Sequence, residues 1–182
     1  MKYFTAPPLK VQALDEINVA VFGDMGTFAP FGHFVADKIA KDHFIKPFNF
    51  VFLTGDIAYA GMNSEQRGES EPIWDLFGEL TEKFAAYTAF MPGVGNHEKY
   101  YNYTAYANRY VLPRQFPGQT NLFFSFDYGQ VHFTHFSSEH PYQLGSEQYN
   151  FLEQDLMQAR GNPNIKWIVV GVHRAFYSSN QN

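Results

Sequence analysis

Four apolar runs in this chain each stop on side chains that bind hard or borderline cations. VAVFGDMG carries Asp24, FVFLTGDIAYA carries Asp56 and Tyr59, FMPGVGNHE carries Asn96, His97 and Glu98, and WIVVGVH ends on His173. Oxygen ligands together with imidazole suit iron, zinc and manganese. A carboxylate can bridge two such ions, and a two-metal clamp suits phosphoryl chemistry. Each residue alone also has a plainer reading. Asp24 and Asp56 fit turn aspartates after a strand, Tyr59 a core or rim tyrosine, Asn96-His97 a turn with a surface histidine, and His173 a hydrogen-bonded core histidine. Independent turns do not explain why every one of these runs ends on a possible ligand.

For the ligands to converge, the runs must be strands of an α/β domain, which collects side chains at the carboxyl ends of its strands. The runs at 17–22, 48–53, 88–91 and 166–172 read as buried strands. Between them the spacing predicts a helix over 34–44, with Phe34, Ile39 and Phe44 apolar. A second helix opens at Pro72 and lines up Ile73, Leu76, Phe77, Leu80 and Phe84. LFFSFDYGQVHFTHFS reads as a hairpin turning near Tyr128-Gly129, which makes the sheet mixed. Ser146 is a candidate N-cap for a third helix with Tyr149, Leu152, Leu156 and Ala159 on one face, stopped by Gly161 and Pro163. His132 and His135 fall on opposite faces of the hairpin by strand parity. His33 and His43 read as solvated. Residues 60–71 read as a loop. Residues 1–12, with Pro7-Pro8, read as a linker following another domain, and 13–182 as the folded unit.

The chain has 182 residues, 45% hydrophobic and 19% aromatic, with 20 Phe and 12 Tyr, so a ring-packed core is expected. A net charge of −5 argues against a nucleic-acid or anionic-membrane footprint. It also means that an anionic substrate needs a local positive centre, which cations would supply. With no cysteine, thiolate metal sites and disulfides are excluded. No apolar stretch reaches membrane-spanning length, and no basic-then-apolar leader opens the chain. Asn102-Tyr103-Thr104 is a glycosylation sequon.

The ordered series Gly-Asp-Met-Gly (23–26), Gly-Asp-Ile-Ala-Tyr (55–59), Gly-Asn-His-Glu (95–98) and Val-Gly-Val-His (170–173) resembles the metallophosphoesterase superfamily. Within it, the series is similar to the purple acid phosphatases, whose blocks are GDxG, GDxxY, GNH[ED] and VxxH. The broader superfamily places a His where Gly26 stands, and the purple branch uses a Tyr where Tyr59 stands. The resemblance implies a layered β-sandwich with mixed sheets, flanked by helices. It implies a binuclear centre of Fe(III) with a divalent zinc, iron or manganese ion: Asp24 and Tyr59 on the ferric ion, Asp56 bridging, Asn96 and His173 on the divalent one. Asn96 and His97 would meet the substrate phosphate, and His97 would help protonate the leaving group. Glu98 would stand behind the ligands, and His140, in Ser137-Ser138-Glu139-His140, would lie at the site entrance as a further substrate contact. The implied reaction is hydrolysis of a phosphate monoester, small molecule or phosphoprotein, by a metal-bound hydroxide in an acid phosphatase.

The family's fifth block, GHxH, is not in this sequence, whereas Tyr177-Ser178-Ser179 matches the family's continuation after His173. The expectation is therefore a catalytic domain cut short at its C-terminus, in which each metal lacks one imidazole and some apolar strand and helix faces lie uncovered. Two other readings stay open: an inactive remnant that binds phosphorylated ligands or a partner, and a phosphodiesterase of the same superfamily. The resemblance and Asn102 together point to a secreted or lysosomal/vacuolar glycoprotein.

Overall fold

The computed structural model describes residues 16–61, 68–114, 116–177 and 179. The predicted linker at 1–12 and the middle of the 60–71 loop lie outside these residues, as does Ser178. The first half of the chain alternates strand and helix: β1 (Val19–Phe22), α1 (Phe31–Ile45), β2 (Phe50–Leu53), α2 (Glu71–Ala85), β3 (Ala89–Pro92). The strands form one parallel sheet in the order β1-β2-β3, as helical crossovers require. A short helix α3 (Thr104–Arg109) follows. A second sheet then forms from β4 (Phe124–Tyr128), β5 (Val131–His135) and β6 (Trp167–Gly171), with α4 (Glu147–Gly161) between the last two. Its β4–β5 pair is antiparallel and its β5–β6 pair parallel. The mixed character expected of the sandwich is thus confined to this second sheet.

Aromatic rings join the two sheets. Phe50 of β2 meets Phe126 and Phe133 edge-to-face, with centroids 5.1 and 4.9 Å apart. Phe52 sits edge-on to Phe124, Phe133 and His135. Every residue of β2 is buried, which is why its sequence is continuously apolar rather than alternating. The parity expectation for the hairpin histidines holds. His135 points into the core and stacks on Phe124, while His132 turns to the other face and bonds Asp155 of α4 at 2.8 Å.

Two helix faces differ from the sequence expectation. In α1 the buried side is Gly32, Ala36, Ile39, Ala40 and His43, whereas Phe34 and Phe44 are exposed. His43 is buried, not solvated: its Nδ1 accepts the Phe48 N–H at 3.2 Å, and Phe44, Phe48 and Tyr87 pack around the ring. The buried side of α4 is Gln148, Phe151, Asp155 and Ala159, while Tyr149, Leu152 and Leu156 are half-buried. Polar side chains can hold that face because they are paired. Gln148 accepts the Ser137 N–H at 2.8 Å and donates to the Ser137 carbonyl at 2.9 Å, and Asp155 takes His132. Ser146 caps the helix as expected, its hydroxyl accepting the Tyr149 N–H. Among the described residues no helix is long and apolar enough to cross a membrane.

Candidate metal centre

The loops that leave β1, β2 and β3 lock onto one another before any ligand is placed. Asp24 N–H donates to the Gly55 carbonyl at 3.0 Å, and Gly26 N–H to that of Ile57 at 2.9 Å. Gly93 N–H reaches the Leu53 carbonyl at 2.7 Å. Asp24, Asp56 and Tyr59 all adopt left-handed backbone, with φ of 57°, 52° and 56°. For residues with a Cβ this conformation is costly, and it persists where the surroundings impose it.

Glu98 imposes it at Asp56. Its carboxylate is 1% exposed and accepts three backbone N–H groups: Asp56 at 3.0 Å, Ile57 at 2.8 Å and Gly95 at 2.8 Å. Burial raises its pKa to about 7 even though all three bonds pull the other way. Sequence reasoning put Glu98 behind the ligands but had no signal for this triple acceptance, which depends on a carboxylate reaching residues 42 and 41 positions back.

Asp24, Asp56 and His173 each bring a ligand atom to within 4.8 Å of the others. His173 Nε2 lies 3.4 Å from Asp56 Oδ1 and 3.2 Å from Asn96 Oδ1. The Asp56 hydrogen bond holds the His173 imidazole above its ordinary pKa. Burial alone would raise the Asp56 carboxyl, but hydrogen bonds from His173 and from the His97 N–H outweigh it and keep the group low. Tyr59, in the loop after β2, joins the group through Asp24, its hydroxyl donating to Asp24 Oδ1 at 2.9 Å. Burial and that bond push the phenol far above its ordinary pKa.

Three glycines make room for this packing. A Cβ on Gly95 would stand 2.3 Å from Asp56 Oδ1, and one on Gly55 2.9 Å from the His173 ring. A Cβ on Gly26 would stand 3.0 Å from the Tyr59 ring, at a φ of +62°. The glycine at 26 and the tyrosine at 59 are therefore one feature: the phenol occupies space that a side chain at 26 would need. The donor set fits a cation pair in its chemistry, with carboxylates, amide oxygen, phenol and imidazole converging on one place.

His97 borders the same place. Its backbone N–H donates to Asp56 Oδ1 at 3.0 Å and its ring packs on Tyr59 with centroids 4.5 Å apart. Its Nδ1 lies 2.8 Å from the Gly61 carbonyl. A carbonyl can only accept, so Nδ1 carries a proton. Nε2 then faces Asp56 Oδ2 at 3.9 Å. His140 sits half-buried, bonded through Nδ1 to Ser137 Oγ at 2.7 Å and packed on Tyr103, and burial lowers its pKa. Asn102 is exposed, in a run of three left-handed residues, Tyr101 to Tyr103. That run had no counterpart in the sequence reading.

Comparison with known proteins follows the same lines. The family model for calcineurin-like phosphoesterases matches residues 17–182. The chain is 31% identical over 186 residues to purple acid phosphatase 21 of Arabidopsis thaliana, covering 98% of this chain and 39% of that relative. It is 34% identical over 170 residues to acid phosphatase type 7 of Mus musculus, covering 90% of this chain and 36% of that one. The chain thus spans about two fifths of the length of the curated relatives it matches. A purple acid phosphatase from yellow lupin seeds shares its fold with a TM-score of 0.73 at 24% identity, over 94% of this chain and 32% of that chain.

Proposed function

Because the chain belongs to the calcineurin-like phosphoesterase family, we propose that its strand-end cluster is the site of an acid phosphatase that hydrolyses phosphate monoesters. The observation that carries this reading is the coupling of Gly26 to Tyr59. A phenol packed over a glycine, with its hydroxyl on Asp24, supports a tyrosine-liganded metal rather than one held by an imidazole at position 26. The names of the relatives, purple acid phosphatase 21 and acid phosphatase type 7, point the same way.

In this reading Asp24 and Tyr59 would hold a ferric ion, Asn96 and His173 a divalent zinc, iron or manganese ion, and Asp56 would serve both. When bound, such a pair supplies Lewis acidity: it lowers the pKa of a water, draws in an anionic substrate and neutralises charge on the phosphoryl oxygens. The chain's own groups do the remaining work. Asp56, fixed by Glu98 and by the His97 N–H, sets the spacing of the site. Asn96 turns its amide toward the substrate phosphate. His97, anchored through Nδ1–H on Gly61, donates from Nε2 only as the doubly protonated imidazolium: in that form Nε2–H would meet a phosphoryl oxygen and pass its proton to the departing alkoxide, leaving the neutral Nδ1–H ring. A secreted or vacuolar setting, with a glycan on exposed Asn102, agrees with chemistry suited to acidic pH.

The test is Asp56→Asn, which keeps the size of the side chain and removes its charge. Metal content and hydrolysis of p-nitrophenyl phosphate should both be lost. A variant that retains metal and turnover overturns the proposal.

A further inference from the structure

A cation stands next to His173 in the chain. Arg174 follows His173 directly, and its backbone N–H donates to Ser138 Oγ at 3.3 Å. Its guanidinium lies side-on against Glu139, Nε to Oε1 at 2.6 Å and Nη2 to Oε2 at 3.0 Å. Glu139 is well anchored: its side chain is 14% exposed, and Ser138 Oγ donates to it at 2.9 Å. Arg174 itself is 57% exposed. Side-on pairing uses the Nε–H and one hydrogen of Nη2. The end-on edge, with both Nη1 hydrogens and the second on Nη2, has no partner among the described residues. The residue before Arg174 is His173, whose Nε2 lies 3.4 Å from Asp56 Oδ1.

We propose that Arg174 is a substrate-binding residue: Glu139 holds one edge of the guanidinium so that the other meets the phosphate group at the mouth of the metal cluster. The inference rests on the phosphoesterase reading above. Several observations favour it. A planar fork with a free end-on edge matches two phosphate oxygens. The chain carries a net charge of −5 and the cluster is built on Asp24 and Asp56, so a fixed cation at the mouth offsets repulsion of an anionic ligand. The same rim holds His140, bonded to Ser137 and packed on Tyr103. The loop at 137–140 therefore carries both the clamp on Arg174 and a neighbouring polar side chain.

The experiment is calorimetric titration of the zinc-supplied chain with inorganic phosphate. Arg174→Ala should weaken phosphate binding about tenfold or more, as expected for losing charge-assisted hydrogen bonds, and Arg174→Lys should recover part of it. Glu139→Gln breaks the same ion pair but leaves the guanidinium, so its loss should stay within about threefold. Zinc affinity should be unchanged in all three. Wild-type phosphate affinity in Arg174→Ala overturns the inference while leaving the phosphoesterase reading intact. So does an equal loss in Glu139→Gln and Arg174→Ala with no recovery in Arg174→Lys, which would make the pair merely structural. Zinc-loaded wild type that takes up no phosphate overturns both.

Discussion

β2 and β6 are the same kind of strand put to different uses. Both are short, apolar and parallel to a neighbour, and both lead into a candidate ligand, Asp56 after β2 and His173 after β6. β2 lies between β1 and β3, with Phe50 to Leu53 at most 2% exposed. Among the described residues β6 lies at a sheet edge, and Trp167 to Val170 are 37–72% exposed. The ligands inherit that difference. Asp56 is held through its backbone by Glu98 and through its carboxylate by the His97 N–H. His173 meets Asp56 and Asn96 through Nε2, while its Nδ1 is buried with no partner among the described residues. A buried strand fixes its ligand through backbone as well as side chain. An edge strand leaves its ligand to be fixed by whatever it binds.

The comparison can be broken at its strong end. Phe52→Ala empties the ring junction between the sheets and should cost about 3–5 kcal/mol, measured by denaturant unfolding. A loss under about 1 kcal/mol would mean that β2 is not the anchor described. Glu98→Gln comes next. An amide cannot accept all three backbone N–H groups, so at least one buried donor faces an NH2 group, at about 1–3 kcal/mol. Zinc affinity should fall with it, since the Asp56 turn relaxes. An unchanged melting temperature and zinc affinity would count against the role given to Glu98.

A subtler effect concerns α4, which braces the β6 sheet. Burial lowers the His132 pKa, but its hydrogen bonds to the Asp155 and Asp127 carboxylates outweigh it and hold the imidazole above its ordinary value. The folded state therefore binds this proton more tightly than the unfolded one. Its stabilisation is complete below the unfolded value of about 6.5 and is lost as pH rises through the higher folded value. Stability measured across that range should fall in the wild type and flatten in His132→Gln; parallel curves would contradict this. Smallest of all is Trp167→Thr on exposed β6, expected within about 0.5 kcal/mol. A large loss there would show that β6 is buried in solution.

What could be read in advance follows from the same contrast. Strands announce themselves as apolar runs, and a ligand at the end of a run is a positional signal, so Asp24, Asp56, Tyr59, Asn96 and His173 stood out. Contacts made by paired polar groups have no such signal. His43 looked solvated because no pattern pairs a helix imidazole with the Phe48 N–H. The inward side of α4 was misplaced because Gln148 and Asp155 read as surface residues until Ser137 and His132 supply their partners. Arg174 passed unnoticed beside His173, because its orientation depends on Glu139, 35 residues earlier. The exclusion between a side chain at 26 and the Tyr59 ring is likewise visible only in three dimensions.

The central claim is that three loops of the β1–β3 sheet and the end of β6 make one metal centre, with Tyr59 as a direct ligand. Ferric ion titrated into the chain tests it most directly, followed by visible absorption. A tyrosinate-to-iron charge-transfer band should grow to saturation in the wild type and be absent in Tyr59→Phe. A wild-type protein that stays colourless with ferric ion, or a Tyr59→Phe variant that keeps the band, would contradict the account.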